Sequence, residues 1–151
     1  MDYLVDTYFD DLQLGAVQST RGRTITEADI VNWCALTGDW FVLHSDKEYA
    51  ARSMFGQRIA PGMMVLAFSG GLGVPPLAKA IVANYGSDRV RYPRPTFIGD
   101  TLHAEIEVAD LRPRDDATGI ADFRWDMVNQ DGSTVMASRL KVLLRRGPDA
   151  G

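Results

Sequence analysis

"IAPGMMVLAFSGGLG", residues 59–73, is the stretch on which the fold turns. Pro61 fits the first turn of a helix, where its missing N–H would have had no partner. From Met63 to Phe68 every residue is apolar, so this helix has no polar face for water. It needs cover on every side. Pro75-Pro76 then ends it or kinks it sharply.

The cover is supplied downstream. After about residue 82 the chain alternates with the two-residue period of half-buried strands. "TLHAEIEVADL" puts Leu102, Ala104, Ile106 and Val108 on one face, with Thr101, His103, Glu105 and Glu107 on the other. "ADFRWDM" aligns Ala121, Phe123, Trp125 and Met127, and "VMASRLKVLL" aligns Met136, Leu140, Val142 and Leu144. Asp131-Gly132 between these last two runs predicts a two-residue hairpin.

Upstream the signals are helical. In "TITEADIVNWCALTG" Thr26 is an N-cap with acidic Asp29 three residues on, and Gly38 suits the residue after the last turn. Ile30, Trp33, Cys34 and Thr37 share a mainly apolar face. In "SDKEYAARSMFG" Ser45 and Glu48 form a capping-box pattern, with Gly56 as the stop. Residues 5–24 read as one or two short strands around a turn at Leu14-Gly15. Helices early, strands late and one helix too apolar for water predict an α+β fold, a curved antiparallel sheet wrapped around that helix.

The 151 residues predict one domain over residues 1–146 and a frayed tail over 147–151. A net charge of −4 gives no global support to a nucleic-acid or anionic-membrane role. A single cysteine, Cys34, excludes an intramolecular disulfide and a cysteine-rich metal site. No window approaches the ~18 apolar residues of a membrane span, and "MDYLVDTYFDD" has no apolar signal core. The expected location is the cytoplasm.

The two histidines separate by context. His103 alternates with polar neighbours and belongs on the outer face of a strand. His44 ends the apolar connector of "TGDWFVLHSD", residues 37–46, five positions after Asp39. Spacing alone leaves two readings open. Asp39 and His44 are either an acid–base pair or a turn-closing aspartate beside a space-filling histidine.

Residues 24–73 resemble the core of the MaoC-like dehydratases and R-specific enoyl-CoA hydratases. Those proteins carry a G-D-x-N-P-hydrophobic-H motif and then an A-[HP]-G-M entry to a central helix. The matching residues are Gly38, Asp39, Leu43 and His44, followed by Ala60, Pro61, Gly62 and Met63. "RPTFIGDTLHAEIEV" resembles the strand pair that follows, and the likeness runs over roughly residues 8–145. Phe41 and Val42 depart from it, standing where the family commonly has Asn and Pro. Phenylalanine cannot replace the hydrogen bonds of an amide.

The resemblance implies a hot-dog fold, a long central helix wrapped by a curved antiparallel sheet, assembled as a homodimer or dimer-based oligomer. It implies Asp39 and His44 as the dyad that adds water to a trans-2-enoyl-CoA, or removes it from a 3R-hydroxyacyl-CoA. Gly62 would offer its N–H to the thioester oxygen, with Phe41, Met63 and Ser69 near the substrate. Arg89, Arg91 and Arg94 suit CoA phosphates. The substrate is an acyl-CoA, and neither a cofactor nor a metal is expected. A hot-dog acyl-CoA thioesterase and a non-catalytic acyl-thioester-binding subunit are the alternatives.

Overall fold

The computed structural model describes residues 3–149. Two single 3₁₀ turns, Leu4–Asp6 and Phe9–Asp11, lead into the short strands β1 (Val17–Ser19) and β2 (Arg23–Thr24). Helices α1 (Glu27–Thr37), α2 (Val42–Ser45), α3 (Lys47–Ala51) and α4 (Gly62–Gly73) follow. The long strands β3 (Ile81–Arg91), β4 (Thr101–Pro113), β5 (Thr118–Val128) and β6 (Thr134–Arg145) complete the chain. The α+β expectation holds.

The strands form one antiparallel sheet in the order β1-β4-β5-β6-β3, and β2 adds to β4. Alternation does what it predicts. Leu102, Ala104, Ile106, Val108, Ala121, Phe123, Trp125, Met127, Met136, Val142 and Leu144 are all buried, and Leu140 packs at their margin. The β5–β6 turn is longer than the expected two residues. Asn129 N–H donates to Ser133 O, and the Asn129 side chain accepts from the Asp131 and Ser133 N–H groups. Gly132, at φ 75°, takes the left-handed position of this wider turn.

The N-terminal reading needs adjustment. Strand begins only at Val17, after a turn held by Gly15 at φ 80°. Before it, the 3₁₀ turns deliver Asp6 to the start of β3. Its buried carboxylate accepts N–H bonds from Lys79, Ala80 and Ile81 at 2.8–3.1 Å. Three charge-assisted bonds there tie residues 73 to 75 apart in sequence.

Helix α1 is capped as expected, with Thr26 and Asp29 bonded reciprocally and Gly38 left-handed at φ 78°. Cys34 is buried, and burial together with the nearby Asp39 carboxylate pushes its thiol up, so it packs as an inert hydrophobe. The cap of α3 shifts by one residue. Asp46, not Ser45, accepts from the Glu48 and Tyr49 N–H groups, both at 2.9 Å. A carboxylate is the stronger acceptor, and Ser45 instead donates back to Trp40 O at 3.0 Å. The helix also stops at Ala51, short of Gly56, which serves a later turn.

Helix α4 differs most from expectation. One stripe, Met64, Val65, Ser69, Leu72 and Gly73, is buried against the sheet. The opposite stripe, Met63, Ala67 and Gly71, is exposed, Met63 by 61%. A single sheet curves over one side of a helix, so the other side stays uncovered. Gly73 allows the close approach: a β-carbon there would fall inside the indole of Trp125, which is 1% exposed.

Candidate active site

The connector after α1 folds into the single turn α2, whose start is held by His44 N–H and Ser45 N–H donating to Phe41 O. This turn carries His44 inward to 9% exposure. The His44 Nδ1 lies 2.8 Å from the carbonyl oxygen of Ile59. A carbonyl only accepts, so Nδ1 carries the hydrogen and the neutral ring keeps its lone pair on Nε2. That nitrogen stands 4.0 Å from Asp39 Oδ2. The separation is too long for a direct hydrogen bond. It fits one water bonded to both atoms, with two bonds of about 2.8 Å meeting at roughly 90°.

Ile59 is the hub. Its carbonyl holds His44, its N–H donates to Leu43 O at 3.1 Å, and it bridges antiparallel to Phe97. Ala60 N–H donates to Thr96 O at 2.7 Å. The chain then passes through Pro61 into the first turn of α4. Among the described residues, the N–H groups of Gly62 and Met63 find no acceptor, while Met64 and Val65 donate to Pro61 O. Free N–H groups and the positive end of the helix dipole therefore meet at Gly62.

A cavity of about 400 Å³ joins these pieces, with His44, Gly62, Tyr92, Arg94 and Thr96 in its wall. Met54, Phe55, Ile59, Val65 and Val135 make the rest of the wall mainly apolar. Tyr92 lies against the helix entry so closely that a β-carbon at Gly62 would sit 2.8 Å from its ring. Its hydroxyl approaches Met63 Sδ at 3.7 Å, and burial pushes the phenol up, so it stays protonated at neutral pH.

The remaining sequence candidates are divided. The Asp39 side chain is 43% exposed and meets His44 without lining the cavity. Phe41, 54% exposed, sets its ring edge-on to the imidazole with centroids 5.7 Å apart. It touches His44, not the cavity. Met63 lies outside the cavity wall and meets Tyr92, which belongs to it. Ser69 stands apart: it lines a second cavity of about 350 Å³ between α4 and β3–β6, and its hydroxyl donates to Leu66 O at 2.6 Å. Of the three arginines only Arg94 is in the wall of the His44 cavity, whereas Arg91 donates to Val90 O and Arg89 occupies a strand irregularity at φ 53°. Among the described residues, no three His, Cys, Asp or Glu side chains gather to hold a metal.

Tyr92 and Thr96 had no candidate role in the sequence. The prolines of "YPRPT" were the available signal, because they mark an extended segment released from a regular ladder.

Residues 12–122 match the MaoC like domain, and the chain belongs to that family. It is 40% identical over 99 residues to Protein MaoC of Klebsiella aerogenes, covering 66% of this chain and 30% of that one. It thus spans under a third of that relative's length. It is 35% identical over 114 residues to an (R)-specific enoyl-CoA hydratase of Rhodospirillum rubrum, covering 74% and 76% of the two chains. Among solved structures it resembles a MaoC-like dehydratase of Rhodospirillum rubrum, with a TM-score of 0.84 at 30% identity over 94% and 99% of the chains. A double hot-dog protein of Mycobacterium tuberculosis matches with a TM-score of 0.80 at 25% identity, over 97% of this chain and 46% of that one. The fold is a hot dog of MaoC-like type.

Proposed function

We propose that this protein is an R-specific enoyl-CoA hydratase, running in reverse as a 3R-hydroxyacyl-CoA dehydratase. The observation that carries the reading is the pinned His44: Nδ1 is committed to Ile59 O, and Nε2 is left for Asp39 at 4.0 Å and for the cavity.

In this reading one water sits between Asp39 Oδ2 and His44 Nε2. Its oxygen bonds the β-carbon of a trans-2-enoyl thioester as Nε2 takes its proton. The electron pair of the double bond moves towards the α-carbon and the thioester oxygen, where the Gly62 N–H meets the developing charge. The dyad returns a proton to the α-carbon, so the product gains one H and one OH. No cofactor enters this sequence. The exposed Arg94 on the cavity wall supports a contact to a CoA phosphate.

Assembly belongs to the same proposal. The uncovered stripe of α4 lies on the side of the second cavity, and β3 is a sheet edge bearing exposed Val82 and Tyr85. A second copy would satisfy both the open edge and the apolar helix face.

The test is loss of enoyl-thioester absorbance with trans-2-enoyl-CoAs of short, branched and long chains, with chiral analysis of the product. A 3R product and a roughly 10²-fold or greater loss in Asp39→Asn are the expected results. Undiminished turnover in Asp39→Asn would remove the dyad. Release of free CoA in place of hydration would make the protein a thioesterase.

A further inference from the structure

One buried polar group in the dyad cavity is unused by this mechanism. Thr96 is 4% exposed, and its carbonyl accepts from Ala60 N–H, but its hydroxyl has no partner among the described residues. With no protein partner, the hydroxyl is left to bond water or a bound ligand. The hydroxyl is not sealed in protein. Among the described residues only Trp125 Nε1 is both fully occluded and unbonded, and Thr96 belongs to the cavity wall. The residue thus keeps a hydroxyl without a protein partner in the wall that His44 and Gly62 also line.

Its position is also fixed. The Ala60–Thr96 bond and the Ile59–Phe97 bridge clamp residue 96 beside the strand that runs through Pro61 into α4. The hydroxyl thus stands on the segment paired with the entry to the helix N-terminus. The other polar side chains of the wall are otherwise engaged or exposed: His44 by Ile59 O, Tyr92 towards Met63 Sδ, and Arg94 in solvent. A thioester oxygen gathering negative charge can accept from more than one donor, and the Gly62 N–H supplies one of them. The connector adds no side-chain amide, because Phe41 stands at its fourth position.

We infer that the Thr96 hydroxyl is a second donor to the thioester oxygen, a catalytic residue acting beside the Gly62 N–H. The inference rests on the hydratase reading. A preorganised donor aimed at charge that develops during reaction acts on kcat more than on substrate binding.

The test compares Thr96→Val, which keeps shape and removes the hydroxyl, with Thr96→Ser, which keeps the hydroxyl. The probe is trans-2-butenoyl-CoA, with His44→Ala as the dyad control. Thr96→Val should lose about 10²-fold in kcat with KM nearly unchanged, at an unfolding temperature equal to or above the parent's. Thr96→Ser should stay within several-fold of the parent. Unchanged kcat in Thr96→Val, whether KM moves or not, overturns the inference while the His44→Ala loss leaves the hydratase reading standing. Absence of turnover in the unaltered protein overturns both.

Discussion

The two histidines make similar acid contacts and occupy opposite environments. His103 Nε2 is 3.6 Å from Glu105 Oε1 on the outer face of β4, and His44 Nε2 is 4.0 Å from Asp39 Oδ2. Distance to a carboxylate would rank His103 first. What differs is everything else. His44 is buried, its other nitrogen is bonded to a carbonyl, and it opens on a cavity with a helix N-terminus. His103 has a 30% exposed side chain among polar neighbours of a sheet surface. An acid–histidine contact becomes a site only when the ring is oriented from behind and has somewhere to put a substrate.

The strongest way to break this comparison is to keep the anchor and remove the proposed base. In His44→Asn the amide can still donate to Ile59 O, so the turn α2 and the wall of the cavity should persist. Nε2 has no counterpart in asparagine, and hydration should fall about 10³-fold. His103→Gln should change turnover by less than about twofold, since nothing at the outer face meets substrate. A large loss from His103→Gln with folding intact would refute the assignment of roles.

Gly62→Ala tests the cavity side with a smaller effect. The added β-carbon conflicts with the Tyr92 ring, which is 41% exposed and free to swing outward. The fold should survive, with hydration down about tenfold as the ring shifts. Gly62→Ala combined with Tyr92→Ala removes the conflict and should recover part of that loss. Equal activities in the single and double variants would show that Tyr92 does not transmit the effect.

The long-range architecture was legible because burial has a period. Leu102, Ala104, Ile106 and Val108 on β4 and Ala121, Phe123, Trp125 and Met127 on β5 are all buried, and the Thr26–Asp29 box and Gly38 mark α1 correctly. What failed had no period. Ser45 and Asp46 are adjacent competitors for one cap, and sequence does not reveal that Ser45 bonds backwards to Trp40 O. The apolar run of α4 reported burial by something, but not how much of it by its own chain. Within the site, Asp39, His44 and Gly62 stand out through the resemblance. Ile59, Tyr92 and Thr96 enter through an isolated bridge between distant segments, which leaves no local pattern.

The outer face also offers the smallest effect, and one that depends on pH. Asp126 on β5 lies directly opposite Glu105 on β4, with Arg124 3.4 Å away. Burial, aided by the charges of Glu105 and Glu107, raises the Asp126 carboxyl above its ordinary value, against the lowering effects of Arg124 and the Ser138 N–H. A raised carboxyl means that the folded state holds a proton the unfolded chain has released. Its contribution to stability is therefore present at low pH and is lost as pH rises from about 4 through the raised value. Asp126→Asn removes this titration. Relative to the parent, the variant should gain stability between pH 4 and pH 7, read as a rise in the difference of unfolding temperatures across that range. Because His103 and Glu105 share this surface, the gain should come with unchanged hydration at pH 7. A parallel loss of turnover would mean that the outer sheet face is coupled to the cavity, and the contrast between the two histidines would lose its basis.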